Sequence, residues 1–289
     1  MKQSHSHFTT IRGLRYHVRT WGDAAAAPLF MFHGWMDVSA SFQFLVDALK
    51  HDWYVIAPDW RGYGLSEWTP HGYWVPDYLG DLEALLTTYS PNAPATLIGH
   101  SLGGNIVCLY AGTRPERVAR VISLDAIGMP RNDPAEAPAR YRQWLDQLAD
   151  PPQFTPYANL DAVVARLQKN NPRLTDARAR FLARFWAEEL PEGGARLRSD
   201  PAHKIVYPIL YRLEEATAFW RGITAPVLLV EGEDSFVPSW IGQQADELAT
   251  RKAVFSNLSV RTIANAGHML HHDQPEELAM AIEEFLGKP

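Results

Sequence analysis

Hydrophobic positions in this chain gather into short unbroken runs that stop at turn-forming residues. "PLFMFHG" (28–34), "WYVIAPD" (53–59), "ATLIGHS" (95–101), "RVISLDAIG" (120–128), "APVLLVEGED" (225–234) and "LSVRTIANAGH" (258–268) share this form. Runs of this length, apolar at consecutive positions, read as strands buried on both faces. Ahead of them, "FTTIRG" and "LRYHVRTWG" predict a hairpin turning at Gly13. Amphipathic stretches fill the gaps: "SFQFLVDALKH", "VPDYLGDLEALLTTY", "LGGNIVCLYAGT", "PSWIGQQADELAT" and "PEELAMAIEEFLG". Strand alternating with helix predicts an α/β fold, with right-handed crossovers and a mostly parallel sheet covered by helices on both faces.

The alternation breaks once, between about residues 129 and 222. "ARYRQWLDQLAD", "NLDAVVARLQKN", "DARARFLARFWAEEL" and "LYRLEEATAFWRG" are helical in pattern, and Leu160, Val163, Val164 and Leu167 keep the 3.6-residue period. Proline-rich joints such as "DPAEAP" and "DPPQFTP" separate these pieces, and no convincing strand lies among them. The expected organisation is a core of residues 1–128 and 223–289 with a helical insertion at 129–222.

Composition narrows the classes. The net charge of −6 comes without a basic stripe, which argues against a nucleic-acid partner. The single cysteine, Cys108, excludes an intrachain disulfide and sits in an apolar helical run, as a packed core thiol would. The N-terminus has no apolar signal region, and no run reaches membrane-spanning length. The expectation is a cytoplasmic protein without a membrane span, its oligomeric state open. His5 and His7 are expected on an untethered polar terminus.

The chemistry begins at "TLIGHSLGGNIVCLYAG" (96–112), where an apolar strand stops at Ser101 among Gly99, Gly103 and Gly104, and a helical pattern starts. Gly99-His100-Ser101-Leu102-Gly103 is a G-x-S-x-G sequence in strand–turn–helix context, the setting that exposes a nucleophilic serine above the strand ends. A serine needs a base. His268, ending the last strand run, is the candidate; His271 and His272 are expected to be surface or supporting residues of the following turn. An imidazole needs an acid to fix its tautomer. Asp234, after "LLVEGE", is the favoured acid and Asp125, in "ISLDAIG", the competitor. An oxyanion needs donors, and the backbone N–H groups of Trp35 in "FMFHGWMD" and of Leu102 are the candidates. Asp59 and Arg61 in "PDWRGYGLS" are expected to be structural ties. Trp35 and Trp60 at strand ends, with Phe185 and Trp186 on an insertion helix, are candidate substrate-binding residues for an apolar or aromatic group. Those aromatics could equally be packing.

Together "FMFHGW", "PDWRGYGLS", "LIGHSLGG", "LLVEGEDSFVP" and "NAGHMLHHDQPEEL" resemble the α/β-hydrolase superfamily in its lid-bearing, serine-hydrolase-like and carboxylesterase-like branch. The resemblance implies eight strands with the second antiparallel, and a cap formed by the insertion. Ser101 stands where dehalogenases and epoxide hydrolases of that branch carry aspartate. The implied activity is hydrolysis of a small-molecule carboxylic ester or thioester through an acyl-enzyme, with no cofactor and no metal. Carbon–carbon bond hydrolysis or acyl transfer by the same triad stays open, as does a ligand sensor on the same fold.

Overall fold

The computed structural model describes residues 1–70, 72–242 and 245–287. Its strands are β1 (Ser4–Ile11), β2 (Leu14–Trp21), β3 (Ala27–Phe32), β4 (Trp53–Pro58), β5 (Ala95–His100), β6 (Val118–Leu124), β7 (Ala187–Glu189), β8 (Ala195–Leu197), β9 (Val227–Gly232) and β10 (Leu258–Ile263). Its helices are α1 (Gln43–Ala48), α2 (Val75–Tyr89), α3 (Leu102–Thr113), α4 (Ala137–Ala149), α5 (Leu160–Asn170), α6 (Asp176–Trp186), α7 (Leu213–Arg221), α8 (Val237–Ile241), α9 (Ala245–Lys252), α10 (Leu270–Asp273) and α11 (Pro275–Leu286). Where the sequence predicts one helix over "PSWIGQQADELAT", α8 and α9 stand instead, and residues 243 and 244 between them lie outside the described residues.

Eight strands form one sheet in the order β1-β2-β4-β3-β5-β6-β9-β10. β2 runs antiparallel to β1 and β4, and the remaining pairs are parallel. The β1–β2 hairpin turns at Arg12 and Gly13, both at positive φ (47° and 85°), the geometry that matches the natural twist of paired strands. His5 and His7 thus belong to a paired edge strand, and His7 Nε2 lies 2.7 Å from the Tyr89 hydroxyl, so the terminus is tethered.

The central strands alternate side chains between two cores, as the two-residue period requires. Phe30, Phe32, Leu97, Val121, Val227 and Leu229 pack toward α2, α3 and α7. Leu29, Met31, Ile98, Ile122, Leu228 and Val230 pack toward α1 and α11. Burial of each such side chain contributes about 1.5–3 kcal/mol. Parallel pairing brings the carboxyl ends of β3, β5, β6, β9 and β10 to one edge, where loops can assemble a site.

The 129–222 segment is not wholly helical. β7 and β8 form a short antiparallel hairpin, which the polar "EELPEGGAR" stretch hides from pattern reading. The segment has its own small core, in which Val163, Val164, Leu167, Leu174, Leu182 and Ala183 close over Phe44 of α1. Helix α7, placed in the insertion by the sequence boundary at 222, instead buries Leu213, Ala216 and Trp220 in the main core. It lies so close to α3 that a Cβ on Gly112 would sit 2.0 Å from the Phe219 carbonyl oxygen. It is the crossover helix between β6 and β9, and the insertion proper ends before it.

One fastening of the insertion is aromatic. The His203 ring stacks between Tyr63 (centroids 3.8 Å apart) and Tyr73 (3.5 Å), while Asp200 N–H donates to the Gly62 carbonyl at 2.9 Å. Burial pushes the His203 imidazole down to about 3, so it is neutral in the stack. A base with a folded value below its unfolded value of 6.5 makes the unfolded chain bind more protons between those limits. The stability it supports is full above about pH 6.5 and drains away as pH falls toward 3. His203→Phe keeps a ring in the stack and removes the titration. The urea midpoint of the wild-type protein should drop more between pH 7 and pH 5 than that of His203→Phe.

Candidate active site

Ser101 joins β5 to α3 at φ 51° and ψ −113°, a left-sided conformation costing on the order of 1–3 kcal/mol for a residue with a Cβ. Neighbouring glycines make this turn possible by close approach. A Cβ on Gly99 would stand 2.3 Å from the backbone of Gly103, and a Cβ on Gly103 would stand 2.2 Å from the Phe32 carbonyl oxygen. Ser101 N–H donates to the Leu124 carbonyl at 3.0 Å, pinning the turn to β6.

His268 lies in the loop after β10, its ring against Phe236 and His100 (centroids 4.9 and 4.7 Å). Its Nδ1 is 2.7 Å from Asp125 Oδ2. Asp125 is itself at positive φ (51°), just past β6, and 2% of its side chain is exposed. It accepts further hydrogen bonds from the Ser235 hydroxyl at 2.5 Å and from Gly232 N–H at 3.3 Å. Asp125 accepts a hydrogen bond from Nδ1–H of His268, which leaves Nε2 as the nitrogen with the lone pair.

The expected acid, Asp234, is therefore corrected. Its carboxylate, half exposed, is bound by Arg173 Nη2 at 2.6 Å. Strand order supplies the reason: β6 is the immediate neighbour of β5, whereas Asp234 lies two residues beyond the end of β9 and points to the insertion. A sequence signal existed. Asp125 ends an apolar run, as a buried acid behind a histidine must, while Asp234 follows Glu231 and Glu233 in a polar cluster.

Ser101, His268, Trp35 and Trp186 line one cavity of about 460 Å³ between the sheet edge and the insertion. Met36, Leu167, Leu174, Phe236 and Met269 give it apolar walls. Two of the four candidate substrate-binding aromatics lie elsewhere. Trp60 is fully buried and stacked on Phe32 at 4.9 Å. Its amide donates to His33 Nε2 at 2.9 Å and its indole N–H to the His33 carbonyl at 3.1 Å, while His33 Nδ1–H donates to the Gly34 carbonyl at 2.8 Å. Trp60 thus braces the turn that carries Trp35. Burial holds the His33 imidazole below its ordinary value, so it is neutral in this role. Phe185 turns away from the cavity and lies under the Arg19 guanidinium, 4.6 Å from the ring centre. Its helical neighbour Phe181 packs on Phe44, and Leu182 enters the insertion core.

His271 and His272 are not surface residues: they are 0% and 3% exposed. Ser41 Oγ lies 3.1 Å from His271 Nε2 and 2.5 Å from His272 Nε2, and its hydroxyl donates to Asp37 Oδ2 at 2.8 Å. Asp37 Oδ1 accepts from the indole N–H of Trp186 at 2.9 Å, joining insertion to core. Burial opposes the charge on Asp37, but the surrounding His271, His272 and His33 outweigh it and hold the carboxyl well below the usual range. A lone aspartate in "HGWMDVSAS" and a pair of histidines 234 positions on carry no spacing signal, so this cluster was invisible before folding. Asp59 and Arg61 are the ties expected. Asp59 accepts from Ser39 N–H (2.7 Å) and Leu65 N–H (2.9 Å), and Arg61 forms a two-pronged bond to Asp81 at 2.6 Å on each prong.

The family profile described as "alpha/beta hydrolase fold" matches residues 27–275, and the chain belongs to that family. It is a hydrolase of the serine hydrolase-like kind. A serine hydrolase-like protein of Danio rerio is 26% identical, covering 93% of this chain and 84% of its own. The 2-(acetamidomethylene)succinate hydrolase of Mesorhizobium japonicum is 28% identical over 91% of this chain and 90% of its own. Among solved structures, a thioesterase domain from the curacin biosynthetic pathway superposes with a TM-score of 0.85 at 21% identity, covering 97% of this chain and 99% of that one, a likeness of fold. No helix among the described residues is long and apolar enough to cross a membrane.

The hydrogen bond to His268 separates the two acids experimentally. Asp125→Asn should lower kcat on an activated ester by on the order of 10³–10⁴, because an amide favours the wrong imidazole tautomer. Asp234→Asn, which breaks only a half-exposed ion pair, should stay within about threefold, a loss of 1 kcal/mol or less. Steady-state kinetics on both variants, with circular dichroism to confirm folding, checks the assignment.

Proposed function

We propose that the protein hydrolyses a carboxylic ester or thioester of an apolar acyl group through an acyl-enzyme on Ser101. The observation that carries this reading is the strained serine turn in one cavity with a histidine whose Nδ1 is bound to a buried aspartate. His268 takes the Ser101 proton as the hydroxyl attacks the carbonyl carbon, and Asp125 stabilises the imidazolium. The backbone N–H groups of Trp35 and Leu102 receive the oxyanion. Leu102 is the first residue of α3, so its amide has no acceptor within the helix, and the helix dipole favours negative charge there. The imidazolium then protonates the leaving alcohol or thiol. Water, deprotonated by the same nitrogen, attacks the acyl-enzyme, and collapse of the second tetrahedral species returns the acid and free Ser101.

The cavity walls favour an uncharged acyl group. They are mainly apolar, and the cation among them, Arg173, is already paired with Asp234. The insertion acts as a cap that selects substrate: Leu167, Leu174 and Trp186 are the large apolar side chains it gives to the wall, beside the polar Asn170, Asn171 and Arg173. No cofactor enters these steps.

Labelling the wild-type protein with a fluorophosphonate should place one adduct on the peptide containing Ser101, and Ser101→Ala should abolish it. In a series of p-nitrophenyl esters, Trp186→Ala should change the preference between short and long acyl chains by about tenfold or more in the ratio of kcat/KM. Removing a wall residue acts on substrate and transition-state binding together. A label on another residue, or none on folded protein, excludes Ser101 as nucleophile.

A further inference from the structure

Beneath the catalytic cavity, Asp37, His100 and His271 each bring one ligand atom within 4.8 Å of the other two. All three are buried, at 2%, 1% and 0% exposure. Their partners assign the tautomers. His100 Nε2 lies 2.8 Å from the carbonyl oxygen of His268, so that nitrogen carries the proton and Nδ1 is a bare lone pair. The single hydroxyl proton of Ser41 goes to Asp37, so Ser41 Oγ can only accept from His271 Nε2, which leaves His271 Nδ1 bare as well. Neither Nδ1 has a hydrogen-bond partner among the described residues. Buried lone pairs without a donor cost free energy unless something electropositive meets them. A carboxylate beside two neutral imidazoles, each with its outer N–H anchored on an oxygen, is how proteins present ligands to borderline-soft divalent ions.

We propose that Asp37, His100 and His271 form a binding site for a divalent transition-type cation such as Zn²⁺, entered from the catalytic cavity, and that its occupancy blocks turnover at Ser101. Entry is direct because Asp37 and His100 also line that cavity. Tetrahedral zinc, with ligands at about 2.0–2.1 Å, holds them roughly 3.3–3.5 Å apart, so closing the cluster takes rotation of the His271 ring, whose Nε2 now stands 3.8 Å from Asp37 Oδ2. Three protein ligands leave a fourth position for water. Inhibition follows from charge: the His268 ring lies 4.7 Å from the His100 ring, and a dication there opposes formation of the imidazolium that serine attack requires. The ion is bound and released without any covalent step.

The test uses full-length protein carrying His5→Ala and His7→Ala, so that the edge strand does not contribute ligands. After chelation and dialysis, Zn²⁺ titration by calorimetry should give one site per chain, and Co²⁺ should give a tetrahedral visible spectrum. His271→Gln and Asp37→Asn should each weaken binding at least tenfold, and residual ester turnover in His271→Gln should no longer respond to Zn²⁺. Ser101→Ala should bind as tightly as its parent, so the binding result stands whether or not the ester reading does. If either cluster variant fails to fold, ¹⁵N-histidine spectra of the parent decide: Zn²⁺ should shift the Nδ1 signals of two buried histidines. The proposal is overturned by an absence of one-site binding, by unchanged affinity in folded cluster variants, by unmoved Nδ1 signals, or by loss of binding in His268→Gln with retention in His271→Gln.

Discussion

The turn at Ser101 is the constraint on which the rest of the site depends. A serine at φ 51° between a buried strand and a buried helix is tolerated only because the surrounding backbone over-determines it. Gly99 and Gly103 let strand, turn and the end of β3 come closer than any side chain would permit. Substitution of either would push α3 away from β3, and with it the Leu102 amide that begins the helix. The strain at Ser101 is thus held by contacts that involve no chemistry.

A second strained residue answers the first. Asp125 ends the adjacent strand at the same φ of 51°, and its carboxylate receives bonds from Gly232, Ser235 and His268. Two neighbouring parallel strands are therefore each followed by a residue at positive φ, one presenting a hydroxyl and the other a carboxylate. His268, from the loop after β10, reaches across the end of β9 to the acid. The imidazole is flanked by the tilted rings of Phe236 and His100.

The insertion meets this site through polar clasps set among apolar walls. Trp186 reaches Asp37, Arg173 reaches Asp234, and His203 stacks between two core tyrosines. The clasps differ in burial. The Arg173–Asp234 pair is exposed to solvent and screened, and contributes roughly 0–1 kcal/mol, whereas the Trp186 bond ends on a buried carboxylate whose loss would leave an unsatisfied group.

The sequence alone determined the elements that depend on local physics. Apolar runs specified the central strands and glycines around Ser101 specified the tight turn there, while the eight-stranded sheet with its second strand antiparallel came from the resemblance to a family. Asp59 and Arg61 were legible as ties because a glycine-rich turn needs side chains to satisfy its amides. Tertiary structure decided whatever depended on which strand lies beside which. Asp125 rather than Asp234 is the carboxylate bonded to His268 because strand order sets which strand end lies within reach, and strand order is not written in any single run. Trp60 and Phe185 left the cavity because pattern gives the face of an element but not the neighbour opposite it. Helix α7 joined the core for the same reason. The cluster of Asp37, Ser41, His271 and His272 lay beyond sequence altogether: its members come from the turn before α1 and from α10, far apart in the chain, and only the packing of those two segments brings their hydrogen-bonding atoms together.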